Sequence, residues 1–110
     1  MSTPYAERRC IPCEGGIDAM SVEQARAALA SLHPDWQLDA EGRSLKRNYR
    51  FVNFLRCMSF VNAVAHVANL EDHHPDLEIG YNYCHVTYTT HAIGGLSEND
   101  FICAAKIDRL

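Results

Sequence analysis

Phe51, Phe54, Leu55, Met58, Val61, Val64, Ala65 and Ala68 recur three and four positions apart. That spacing marks one apolar face of an α-helix. It predicts a main helix over residues 51–70, lying across a sheet. His66 sits toward its polar side and is expected to be solvated. The helix runs into Glu71-Asp72-His73-His74, and Pro75 stops it, because proline lacks an N–H and pushes its predecessor out of the helical region. A shorter stripe of Val22, Ala25, Leu29 and Leu32 predicts a helix over residues 22–32. Ser21 and Gln24 form a capping-box signature at its start, and His33-Pro34 ends it.

Elsewhere the period drops to two. Residues 36–39 and 44–50 alternate around a turn containing Gly42, which reads as a β-hairpin with Trp36 as a core anchor. Residues 76–82 and 83–91 read as two further strands. In the second, Val86, Tyr88 and Thr90 share the face suited to a core, while His85, Thr87, Thr89 and His91 share the other. Gly94-Gly95 makes a turn, and Ser97 caps a last helix over residues 98–109. Helix, two strands, helix, two strands, helix predicts an α+β domain of antiparallel hairpins with helices packed on one face. It is expected over residues 19–110, behind an irregular arm at residues 1–18.

With 110 residues, 47% apolar and 22% charged, the chain fits one globular domain. The net charge of -4, with Arg8-Arg9 and Lys46-Arg47 as the only basic runs, argues against nucleic acid as a partner. No stretch approaches the roughly 20 apolar residues of a membrane helix, and the first twenty residues hold no apolar signal segment. A cytoplasmic protein with reduced cysteines is expected, and the odd count of five argues against a complete disulfide framework. Cys10 and Cys13 form one C-x-x-C, half of a structural zinc site with no second half in sequence. The plain expectation is an arm carrying two thiols, with a zinc or redox role as the alternatives.

The chemistry concentrates in residues 71–100, which hold four of the six histidines. His73 and His74 precede one strand of a hairpin and His91 ends the next, so all three reach the same end of the sheet. Imidazoles near neutral pKa suit proton transfer. Three histidines could instead hold zinc, but adjacent side chains seldom aim at one ion, and no metal is expected. They could also merely hydrogen-bond loops. Asp100, three residues after Ser97, could simply complete a helix cap.

One ordered set of residues goes further. His73-His74-Pro75, Tyr81, His91 and Asp100, with the run G-L-S-E-N-D-F at residues 95–101, resembles the signature of the pterin-4a-carbinolamine dehydratases. The resemblance extends over residues 21–110. It implies a four-stranded antiparallel sheet with three helices on one face, joined into a homodimer or homotetramer. It implies an enzyme, a hydro-lyase that dehydrates a 4a-hydroxytetrahydropterin to the quinonoid dihydropterin. That reaction needs no cofactor and supports tetrahydropterin recycling for aromatic amino-acid hydroxylases. Carried over by position, His73 and His91 are the acid and base. His74 holds the pterin with a share in proton transfer. Pro75, Thr89 and Thr90 join the three histidines in binding it, and Asp100 orients a histidine. The family alternatives are a dimerisation module with catalysis secondary, or a role with another pterin. A relative acting only in assembly would be expected to lose the histidines, which are all present. One departure stands out: Asn69 occupies a position usually acidic. It is expected to lie one helical turn from His73 and leave it less basic than in relatives.

Overall fold

The computed structural model describes residues 3–12 and 17–110. In chain order the elements are α1 (Val22–Leu29), β1 (Gln37–Leu38), β2 (Leu45–Arg50), α2 (Phe54–Glu71), β3 (Asp76–Ile79), β4 (Tyr83–Tyr88) and α3 (Glu98–Ile107). Single 3₁₀ turns occur at Tyr5–Glu7 and His91–Ile93. The element order and the antiparallel α+β class match the expectation.

Local side chains set the helix ends. Ser21 Oγ accepts the Gln24 N–H at 3.1 Å and Gln24 Oε1 accepts the Ser21 N–H at 2.9 Å, closing the capping box. α1 ends three residues earlier than expected. The N–H groups of Ser31 and Leu32 bond to the carbonyls of Ala28 and Leu29, three residues back, which tightens the last turn. α2 begins three residues later than expected. Phe51 N–H still bonds across the sheet to Asn82 C=O, and Asn53 then caps the helix by accepting the Arg56 N–H at 2.9 Å. The buried face is narrower than the expected stripe and shares Val61, Val64 and Ala68 with it. Cys57, Val61, Val64 and Ala68 turn inward, while Phe54, Leu55 and Ala65, expected in the apolar face, are exposed.

The sheet order is β1-β2-β4-β3 with every pair antiparallel. β4 lies between two partners, and its alternation is realised: Cys84, Val86 and Tyr88 are fully buried. They join Ala25 and Ala28 of α1, Val61 and Val64 of α2, and Phe101, Ala104 and Ile107 of α3 in one core. All three helices thus cover the same face. Trp36 is the core anchor expected of it, 2% exposed, with its Nε1–H donating to Asp108 Oδ1 at 2.8 Å. The last strand is shorter than expected: His91 lies in the 3₁₀ turn after β4, and Thr90 pairs with Gly95 in an isolated bridge. A Cβ at Gly95 would lie 2.8 Å from the Ala19 Cβ, so this close approach requires glycine.

The arm lies along α3. Tyr5 packs on Phe101 with ring centroids 5.9 Å apart, and Lys106 Nζ donates to Ala6 C=O at 3.0 Å. Among the described residues no helix is long and apolar enough to cross a membrane.

Candidate active site

The site begins where α2 stops. Asp72 takes a left-handed conformation at φ 52°, and both its N–H and that of His73 bond to Ala68 C=O. Such a cap satisfies an end carbonyl while reversing the chain. Beyond it Pro75 cannot continue a helix, and β3 starts at Asp76. The histidine pair is thereby fixed at the junction of α2 and the sheet.

His73 is the most constrained of the three. Its Nε2 lies 2.7 Å from Asp100 Oδ1, and its ring stacks on Tyr88 with centroids 5.8 Å apart and planes 8° from parallel. Asp100 is wholly buried. Its Oδ2 accepts the Thr90 hydroxyl at 2.8 Å and the Ser97 N–H at 3.0 Å. The carboxylate therefore completes the N-terminal cap of α3 and faces His73 at once. Burial draws the His73 imidazole down. The Asp100 hydrogen bond and charge, with smaller contributions from Cys103 and Asp72, outweigh burial and leave it above the ordinary histidine range.

His73, His74 and His91 line one cavity of about 380 Å³, within the usual span of small-ligand sites, about 300–1,000 Å³. The convergence expected from the hairpin is realised. The other histidines of the same stretch and of α2 are apart from it: His85 pairs with Glu78 at 3.2 Å, and His66 is exposed. Among the described residues no group of three His, Cys, Asp or Glu side chains is placed to hold a metal ion.

The cavity has a wall that sequence reasoning missed. Cys10, Ile11 and Pro12 of the arm border it, with Glu71 and Asn99 beside them. Glu71, 5% exposed at its side chain, accepts the Cys10 N–H at 2.8 Å and pairs with Arg9 at 3.1 Å. Burial alone would raise its carboxyl. The Cys10 N–H, Lys106 and Arg9 hold it below the usual carboxylate range. Cys10 Sγ and Cys103 Sγ lie 3.6 Å apart. Cys13 of the C-x-x-C lies outside the described residues, so only Cys10 of that motif is located. These contacts join residues 61 to 93 apart in the chain. In the sequence residues 10–12 read only as part of an irregular arm.

The family model for pterin 4 alpha carbinolamine dehydratase matches residues 18–110. The chain belongs to this family. It is 57% identical over 105 residues to a relative from Nitrosomonas eutropha, covering 96% of this chain and 91% of that one. It is 50% identical over 110 residues to one from Legionella pneumophila strain Lens, covering 100% and 97%. The names of both assign them provisionally to pterin-4-alpha-carbinolamine dehydratase, a hydro-lyase activity. A crystal structure described as a transcriptional coactivator/pterin dehydratase from Brucella melitensis superposes with a TM-score of 0.78 at 28% identity, over 84% of this chain and 97% of that one. A pterin dehydratase-like protein described as a RuBisCO assembly factor in the alpha-carboxysome gives 0.60 at 20% identity, over 70% of this chain and 89% of that one, and shares the fold.

The remaining positions expected from the carbinolamine dehydratase resemblance are placed unevenly. Thr89 and Thr90 border the cavity, but their hydroxyls are engaged by the protein. Thr89 donates to Arg43 C=O at 2.7 Å, and Thr90 is bonded to Asp100 and Ser97. Pro75 follows the histidine pair without bordering the cavity, and Tyr81 stacks on Phe54 with centroids 6.3 Å apart. Asn69 does not bear on His73 as expected. It is exposed on α2, and the helix ends at Glu71 before the left-handed Asp72, so the one-turn relation is broken. The acid that His73 meets comes from α3.

Proposed function

We propose that the protein dehydrates a 4a-hydroxytetrahydropterin to the quinonoid dihydropterin and water, as a step in tetrahydropterin recycling in the cytoplasm. The observation that supports this most is His73, held by buried Asp100, sharing one cavity with His74 and His91. Dehydration breaks the C4a–O bond after the hydroxyl receives a proton, and the N5 proton departs as the C4a–N5 double bond forms. Two groups are required, a donor and an acceptor. His73 is assigned the donor role, because the Asp100 carboxylate favours its imidazolium form. His91 is assigned the acceptor role at N5. His74 binds the ring and shares in proton transfer, with Thr89 and Thr90 bordering the cavity. The protons given and taken balance, and one molecule of water is released.

Turnover of chemically prepared carbinolamine tests the proposal. Dehydration should persist after exhaustive chelation, since proton transfer between imidazoles and substrate needs no ion. Activity that disappears with a stoichiometric metal would replace this mechanism with another.

The alternative, a dimerisation or coactivator module, draws support from the description of the Brucella relative. The assembled histidines and carboxylate favour catalysis. A homo-oligomer is part of the proposal: β1 and β3 are sheet edges, and β3 exposes backbone that a second strand can cover. Light scattering should give a multiple of the 12.4 kDa chain mass. A monomer at micromolar concentration would reject the oligomer.

A further inference from the structure

Ile11 is 71% exposed and Leu70 59% exposed, and both border the cavity that contains the three histidines. The backbone of Ile11 is nonetheless fixed at both of its polar groups. Its N–H donates to Asn99 Oδ1 at 3.0 Å, and its C=O accepts from Asn99 Nδ2 at 2.6 Å. Asn99 is itself 7% exposed in the first turn of α3. One residue back, the Cys10 N–H is held by Glu71, which Arg9 and Lys106 grip in turn. A side-chain amide bonded to both groups of one backbone residue sets its position and its orientation together. The result is an exposed apolar side chain presented at a defined place beside a polar cluster.

Sites for flat heteroaromatic ligands combine a few polar groups at the ring edge with apolar surface for the ring face. Here the histidines supply the polar groups. Ile11, Pro12 and Leu70 supply apolar surface. Residues 10–12 lie upstream of residue 18, where the family match begins.

We propose that the N-terminal arm is part of the substrate site, with Asn99 and Glu71 as positioning residues that hold Ile11 as the apolar wall against which the pterin ring is seated. The inference rests on the pterin reading above and adds the arm to it.

The test uses the full chain and two readouts: steady-state dehydration of the carbinolamine, and fluorescence titration with a stable oxidised pterin. Ile11→Ser should raise KM about 5- to 20-fold and leave kcat within about twofold, because apolar contact with the ring is made equally in ground and transition states. The pterin Kd should rise in parallel while Tm stays unchanged. Ile11→Leu, which keeps the apolar volume, should remain within about twofold of wild type in both readouts. Asn99→Ala should reproduce the KM effect of Ile11→Ser. Unchanged KM and Kd in Ile11→Ser, with wild type active, would overturn the wall and leave the dehydratase assignment standing. A wild-type chain that neither binds pterin nor turns over the carbinolamine would overturn both.

Discussion

Replacing His73 by alanine should lower kcat for carbinolamine dehydration by about 10²-fold or more, and His91→Ala should do the same. Each variant lacks one end of the proton path, and no other imidazole of the cavity stands in the same place. The two should differ in stability. His73→Ala leaves the Asp100 carboxylate buried with one partner fewer, whereas His91 is exposed in its 3₁₀ turn. A lower Tm is therefore expected in the first and little change in the second. His74→Ala should act at least as strongly on KM as on kcat. Initial rates with freshly generated carbinolamine decide the matter. Near wild-type kcat in both the His73 and His91 variants would remove these imidazoles from the chemistry.

Asp100→Asn should bring the next largest effects, on both the pH profile and stability. The carboxylate faces His73, the Thr90 hydroxyl and the Ser97 N–H. Asparagine keeps the shape but loses the charge and presents an N–H₂ toward groups that need an acceptor. Breaking one side of a buried ionic pair costs about 3–5 kcal/mol, and denaturant unfolding should show a loss of that order. The pair's contribution has a definite pH sign. In the folded protein His73 lies above its unfolded value of about 6.5, so the stabilisation is fully present below that value. It fades as pH rises through the raised folded pKa. The stability gap between wild type and Asp100→Asn should narrow over that window. With His73 as proton donor, the alkaline limb of kcat against pH should move to lower pH in the variant. NMR titration of the His73 ring should show the same downward shift. An unmoved ring titration would mean that the carboxylate does not hold the imidazolium.

Much of the architecture was written in neighbouring residues. The Ser21–Gln24 box and the alternation of Val86, Tyr88 and Thr90 act over a few positions, and each appears in the structure where the chain places it, whereas α2 ends at the left-handed Asp72, before Pro75 is reached. The histidine cluster was legible for the same reason. Strand pairing places the entry of β3 beside the exit of β4, so His73, His74 and His91 meet once the hairpin is recognised. α2 starts three residues beyond the first residue of the periodic stripe, because Asn53 caps the helix only after Phe51 has completed its bond across the sheet.

Tertiary structure decided which acid faces which base. Asn69 and His73 lie four apart in sequence, but a single left-handed residue, Asp72, cancels the helical relation between them. Asp100 reaches His73 across 27 residues because α3 packs beside the end of α2. The same packing gives one carboxylate two duties, helix cap and histidine partner, which sequence offered as alternatives. The arm's place at the cavity depends on Asn99 and Glu71, 88 and 61 residues away from the backbone groups they hold. Caps and periodicities are short-range and leave a trace in the order of residues. Hydrogen bonds between distant segments leave none, because any polar side chain brought to that place by the fold could have made them.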